Sequence, residues 1–168
     1  MVEQYNLDIL GISESWNRDN LPLKDIIKID NFTLISNVHQ RSNRGGKPLL
    51  LINSKKYYIK ELSPSEITVP VGVEAVWALL RPKVKKYKSV LKHLAVCSYY
   101  FTGHDQDHKN ALYDHMAESI NFLRAKYPKI HLLLIADSNR LNLDPITSLS
   151  SDLCQVVKCP TRLNHQII

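Results

Sequence analysis

The stretch HLLLIADSNRLNLD, residues 131–144, decides the fold. Its apolar run, Leu132 to Ala136, suits a strand buried on both faces, and it stops abruptly at Asp137-Ser138-Asn139. A carboxylate and a carboxamide at that point stand on a rigid base at the margin of the core. Taken alone, the triplet reads first as a turn, because Asp and Asn bond their own backbone where strands end. A phosphate or metal site is the sharper reading, and it needs support from elsewhere in the chain.

Immediately upstream the period changes. Leu112, Met116, Ile120, Leu123 and Tyr127 are spaced four, four, three and four apart, which makes one face of a helix. Asp105 or Asp107 can cap its start, and Pro128 marks its end. His93 to Tyr100 reads as a strand, so this part of the chain runs strand, helix, strand. Further strands are expected at Leu7 to Ile12, at Phe32 to Ser36, and at Pro48 to Ile52 after the turn signal Arg44-Gly45-Gly46. Tyr57 to Ile59 follows the turn at Asn53-Ser54, and Val73 to Leu80 carries Trp77 as its large anchor. Gln155-Val156-Val157 reads as another strand, and Lys83 to Lys92 as a basic loop. His115 is expected on the polar or boundary face of the helix. No internal repeat, low-complexity tract or linker interrupts the chain.

A length of 168 residues suits one domain, and a hydrophobic share of 44% is enough to build a core. No apolar run approaches the ~18 residues of a membrane span, and a polar stretch rather than a signal peptide follows Met1. These features lead to the expectation of an intracellular protein, nuclear or cytoplasmic, without a membrane partner. Cys97, Cys154 and Cys159 are an odd and sparse set, which argues against a disulfide framework. The formal net charge is +6, concentrated at Arg41 to Lys47, at Lys55, Lys56 and Lys60, and from Lys83 to Lys92. Such an excess favours a polyanionic partner, since lysines and arginines facing phosphates release condensed counterions. A merely solvated surface fits the same charge.

Glu14 repeats the pattern of Asp137: each is an acid just beyond the carboxyl end of an apolar strand. Open α/β architectures put ligand sites at such ends. Two carboxylates brought together by different strands can hold a hard cation such as Mg²⁺, which often takes only one or two protein carboxylates and keeps several waters. Gly103 to His108 looks like a metal cluster, but Asp residues at a helix start serve as caps and dipole partners. Cys154, Cys159 and His165 lack the close cysteine pair and fourth ligand of a zinc site. There is no Gly-x-Gly-x-x-Gly, no phosphate-binding Gly-x-x-x-x-Gly-Lys and no Gly-x-Ser-x-Gly elbow.

Taken in order, several stretches resemble the endonuclease/exonuclease/phosphatase superfamily, and within it the endonuclease domain of non-LTR retrotransposons. They are Leu7-Asp-Ile-Leu-Gly-Ile-Ser-Glu-Ser-Trp16, Arg44-Gly-Gly46 before an apolar strand, and Val73-Glu-Ala-Val-Trp77. They continue with Ala95-Val-Cys-Ser-Tyr-Tyr100, Ile135-Ala-Asp-Ser-Asn139 and Gln155-Val-Val-Lys-Cys-Pro-Thr-Arg162. The resemblance covers nearly the whole chain and rests on the order and spacing of the motifs together.

The resemblance implies an α/β fold of two face-to-face β-sheets with outer helices, a four-layer, deoxyribonuclease-like sandwich. It implies Mg²⁺-dependent (or Mn²⁺-dependent) phosphodiester hydrolysis that nicks DNA, with a reverse transcriptase domain in a longer parent protein. Asp137 is implied to activate or position the attacking water and Asn139 to hold the phosphate. Tyr100, or its neighbour Tyr99, is implied to contact the scissile phosphate, and Glu14 to bind the metal. Arg44, Thr161 and Arg162 are implied substrate contacts. Ala136 stands where a Gly is usual, and Phe101-Thr102 where prolines are usual.

The family pattern also begins with a strand carrying a catalytic Asn and closes with a Ser-Asp-His segment, and neither is found here. Residues 1–168 are therefore expected to form a single, incomplete domain with weak or no activity. Two alternatives stand beside this reading. One is a non-catalytic, nucleic-acid-binding remnant; the other is a phosphatase branch of the same superfamily.

Overall fold

The structure, a computed structural model, describes residues 6–15, 27, 29–36, 47–84, 90–101, 105–138 and 141–157. The described strands are β1 (Ile9–Ile12), β2 (Phe32–Ser36), β3 (Leu49–Asn53), β4 (Tyr57–Glu61), β5 (Glu74–Pro82), β6 (His93–Tyr100) and β7 (Ile130–Asp137). The described helices are α1 (Gln106–Lys126) and the single turn α2 (Asp144–Thr147). One sheet has the order β1-β3-β2, antiparallel throughout, with Ile9 opposite Ile52 and Thr33 opposite the same residue from the other side. The other has the order β4-β5-β6-β7, antiparallel except for its last pair. A parallel pair needs a long crossover, and α1 supplies it between β6 and β7.

Period-two alternation divides the four-stranded sheet between two cores. Ala75, Trp77, Leu79, Ala95, Cys97 and Tyr99 pack under α1 with Leu112, Met116, Ile120 and Leu123. Val76, Ala78, Leu80 and Val96 face the other way and pack on Leu50 and Ile52 of β3. The molecule is thus an α/β sandwich in which two sheets meet face to face and α1 covers the outer side of one. Among the described residues no helix covers the outer side of the three-stranded sheet, although Leu49 and Leu51 on that side of β3 are buried. None of the described helices is long and apolar enough to cross a membrane.

Helix α1 starts where Asp105, in extended conformation, accepts from the backbone N–H of His108 at 2.8 Å. That satisfies one of the orphan donors of the first turn. It ends at Tyr127, before Pro128.

Three expectations need correction. Strand β7 is not buried on both faces: it lies at the edge of its sheet, only Ile130 is fully buried, and Leu133 is 38% exposed. Its apolar residues serve two half-buried contacts instead, Leu132 and Leu134 under α1 and Ile135 against the other sheet. Gln155 to Val157 form no strand and are exposed, so their β-branched run found no partner among the described residues. His115 is not on a polar face. It is 1% exposed, held between Trp77, whose Nε1 donates to its Nε2 at 3.1 Å, and the Thr68 carbonyl 3.2 Å from its Nδ1.

Candidate active site

Four strand ends meet at one mouth of the sandwich. Across the four-stranded sheet the register sets Glu74 opposite Tyr100, and Tyr100 beside Asp137. By alternation these three share the face turned to the other sheet, the face of Val76, Val96 and Ile135. Strand β1 approaches from that other sheet and ends in Ser13-Glu14-Ser15. What allows the approach is Gly11, since a Cβ there would lie 2.8 Å from Ile135 Cγ2. With no side chain at Gly11, β1 and β7 come close enough for the backbone N–H of Asp137 to donate to Ser13 Oγ at 2.8 Å. On β6, Ser98 Oγ donates to the Ile12 carbonyl at 3.3 Å.

The phenol of Tyr100 donates to the Glu14 carboxylate. That bond, then burial, then the negative charges of Glu14, Asp137 and Glu74, push its pKa from 10.0 up to about 12. Phenolate formation beside three carboxylates is disfavoured by like charge, so Tyr100 remains a hydrogen-bond donor at neutral pH. Its neighbour Tyr99 points to the opposite face, buried in the core under α1, where burial raises its pKa. Of the two tyrosines weighed from the sequence, Tyr100 is the one in the cleft.

Glu74 was not singled out from the sequence. It is 7% exposed, and one of its oxygens accepts from the backbone N–H of Lys47 at 3.1 Å. Lys47 has a left-handed φ of 61°, and its carbonyl accepts from Ser15 Oγ at 2.6 Å. A chain of bonds thus runs from Glu74 through the Lys47 backbone to the residue after Glu14. The signal was available: Glu74 is the one acid in the otherwise apolar run from Val73 to Leu80. Acids are seldom fully buried unless paired.

Glu14, Tyr100 and Asp137 are therefore brought together. Asn139, Arg44, Thr161 and Arg162 lie outside the described residues. A small cavity beside the cleft is lined by Glu74, Tyr100, Phe101 and His108. Its His108 is bound through Nδ1 to Asp105 at 2.6 Å, and Asp105 is the cap expected for the start of α1. Among the described residues no group of three or more His, Cys, Asp and Glu side chains is arranged to hold a metal ion. Cys97 is buried and Cys154 exposed, both as free thiols. Among the described residues the side-chain donors at the cleft, from Glu14, Glu74, Tyr100 and Asp137, are oxygens, which suits a hard divalent cation that keeps most of its waters.

No family model matches this chain, and no curated protein matches it. Solved structures do resemble it, two of them as follows. The human Nocturnin catalytic domain with bound sulfate aligns with a TM-score of 0.53 at 12% identity, over 82% of this chain and 53% of that one. Humanized D. rerio TDP2 carrying 14 mutations aligns with a TM-score of 0.50 at 7% identity, over 88% of this chain and 55% of that one. The fold is thus an α/β sandwich of the kind seen in these two structures. At such identities the likeness is one of fold. The chain spans about half the length of the structures it matches.

Proposed function

We propose that this chain is a phosphodiesterase domain of the endonuclease/exonuclease/phosphatase type that nicks DNA with the help of a divalent cation, as the retrotransposon resemblance suggests. The observation that carries the reading is the convergence of Glu14, Tyr100 and Asp137 from three strand ends on one cleft of this fold. In it Glu14 would hold Mg²⁺ or Mn²⁺, and such an ion, when bound, neutralises charge developing on the phosphate.

The chain's own groups have distinct tasks. Asp137 takes a proton from the attacking water as its oxygen bonds to phosphorus, while the bond from phosphorus to the leaving sugar oxygen breaks. Solvent protonates that oxygen. Ser13 fixes the Asp137 backbone and so the direction of the carboxylate. Tyr100, kept protonated by its acidic neighbours, would turn its single O–H from Glu14 to a non-bridging phosphate oxygen once Glu14 holds the ion. Glu74 holds the Lys47–Ser15 connection and through it the segment that carries Glu14. Asn139 completes the reading as a phosphate contact by resemblance alone. A reverse transcriptase in the same polypeptide would use the nick as its primer.

The test is a time course of supercoiled-plasmid nicking with Mg²⁺, run beside Glu14→Gln and Asp137→Ala. Metal-dependent nicking lost in both variants supports the reading. Salt-sensitive DNA binding with no nicking would identify a nucleic-acid-binding module instead, and phosphate release from monoesters a phosphatase.

A further inference from the structure

The end of the four-stranded sheet farthest from the cleft carries a row of aromatic and cationic side chains that the proposed hydrolysis does not use. Tyr58 of β4 lies directly opposite Arg81 of β5. Arg81 is two residues beyond Leu79, and His93 two before Ala95, so both share the α1 side of the sheet with those residues. Helix α1 ends at this region, where its C-cap Tyr127 packs against His93 with ring centroids 4.7 Å apart and the planes tilted by 39°. The row therefore runs Tyr58, Arg81, His93, Tyr127 across the sheet.

Its chemistry is consistent along its length. Tyr58 is 53% exposed, with the Arg81 guanidinium 5.7 Å and the Lys83 ammonium 5.0 Å from its ring centroid. Lys92 is exposed at the start of β6. Burial, followed by the positive charges of Arg81 and Lys92, holds the His93 imidazole below its ordinary pKa, so the ring stays neutral in a cationic neighbourhood. The nearby carboxylate of Glu66 is already bonded to Lys60 and Lys126.

We propose that this row is a binding strip for single-stranded nucleic acid, separate from the cleft. Arg81 lies seven positions along β5 from Glu74, which is roughly 23 Å at about 3.3 Å per residue. Three strands at about 4.8 Å spacing give the strip a width near 10 Å between Tyr58 and His93, the scale on which sheet aromatics stack two or three bases. The exposed Tyr58 ring, the half-buried edges of His93 and Tyr127 and a guanidinium plane offer stacking, and the lysines meet phosphates. This pairing of stacking and charge is how strands are gripped without sequence readout. Ordinary surface lysines would meet phosphates but would not need the rings. The strip shares with the proposed hydrolysis only its nucleic-acid substrate.

The test is fluorescence anisotropy of a fluorescein-labelled ten-nucleotide oligothymidylate titrated with the whole chain at two salt concentrations. Tyr58→Ala and Arg81→Ala should each weaken binding about tenfold or more, while Tyr58→Phe keeps wild-type affinity. Arg81→Ala and Lys83→Ala should each flatten the dependence of log K on log salt by about 0.7. Lys109→Ala removes a charge from the other end of α1 and should change affinity by about twofold at most, because salt screens remote charges. Glu14→Gln should bind as the wild type does, so loss of hydrolysis and loss of the strip are told apart. Tyr58 and Arg81 are exposed, so these variants should retain the wild-type circular dichroism spectrum. The proposal is overturned by no binding at low salt, by an equal loss in Lys109→Ala, by binding indifferent to Tyr58→Ala, or by tighter binding of a duplex than of the single strand.

Discussion

Replacing Gly11 by alanine probes how the cleft is assembled. The added Cβ would lie 2.8 Å from Ile135 Cγ2, 3.0 Å from its Cβ and 3.1 Å from its Cδ1. Carbon atoms sit best about 3.5–4.0 Å apart, so β1 and β7 must part by roughly 0.7 Å. Ile135 is β-branched and cannot swing aside at χ1. Overpacking of this kind costs about 1–3 kcal/mol. Loss of glycine's unfolded-state freedom offsets about 0.4–1 kcal/mol of that. The net destabilisation should therefore be about 1–2 kcal/mol by urea unfolding.

The same displacement reaches the cleft, because Gly11 is three residues before Glu14 and Ile135 is two before Asp137. As Glu14 withdraws, the Tyr100 phenol loses its acceptor, and its pKa should fall from about 12 toward 10.0 in alkaline absorbance titrations read against Tyr100→Phe. Adding Ile135→Ala removes the clashing methyls, so the double variant should show a favourable coupling of about 1 kcal/mol. Wild-type stability with an unmoved Tyr100 titration would refute the reasoning, as would strictly additive single variants.

Three further outcomes follow from other parts of the fold. Burial lowers the His115 pKa from 6.5 to about 4, although its bond to the Thr68 carbonyl works against this. The unfolded chain then binds more protons between those values, so stability should fall by about 2 kcal/mol from pH 7 to pH 5. His115→Gln, which keeps an acceptor for Trp77, should remove that part of the slope in denaturation curves. Asp105→Ala should lower the midpoint of thermal unfolding through loss of the α1 cap. Glu66 is held near pKa 2 rather than 4.5 by its bonds to Lys60 and Lys126. Its contribution is complete above pH 4.5 and lost as pH falls toward 2, so Lys60→Ala with Lys126→Ala should lower stability above pH 4.5 and remove that part of the acid-unfolding slope.

The sequence by itself determined the elements that matter most. Alternating or continuous apolar runs placed β2 and β6 at their observed bounds, because strand propensity and turn residues are local properties. The four-four-three-four spacing from Leu112 to Tyr127, with Asp105 before it and Pro128 after it, defined α1 in the same way. Glu14, Tyr100 and Asp137 were legible as candidates because each follows or ends an apolar run and together they fit a known order of motifs.

Tertiary structure decided the rest. An apolar run such as Leu132 to Ala136 does not reveal whether its strand will be central or at an edge, since that depends on which strands pair with it. His115 looked like a boundary residue until Trp77 and Thr68, from other elements, surrounded it. Glu74 became part of the cleft only through its register with Tyr100 and its bond to Lys47. Gly11 has no chemistry of its own, yet its missing side chain lets the two sheets close and brings Glu14 to Asp137. Contacts between residues more than a hundred positions apart, such as Ser13 with Asp137, are set by packing, which no local pattern encodes.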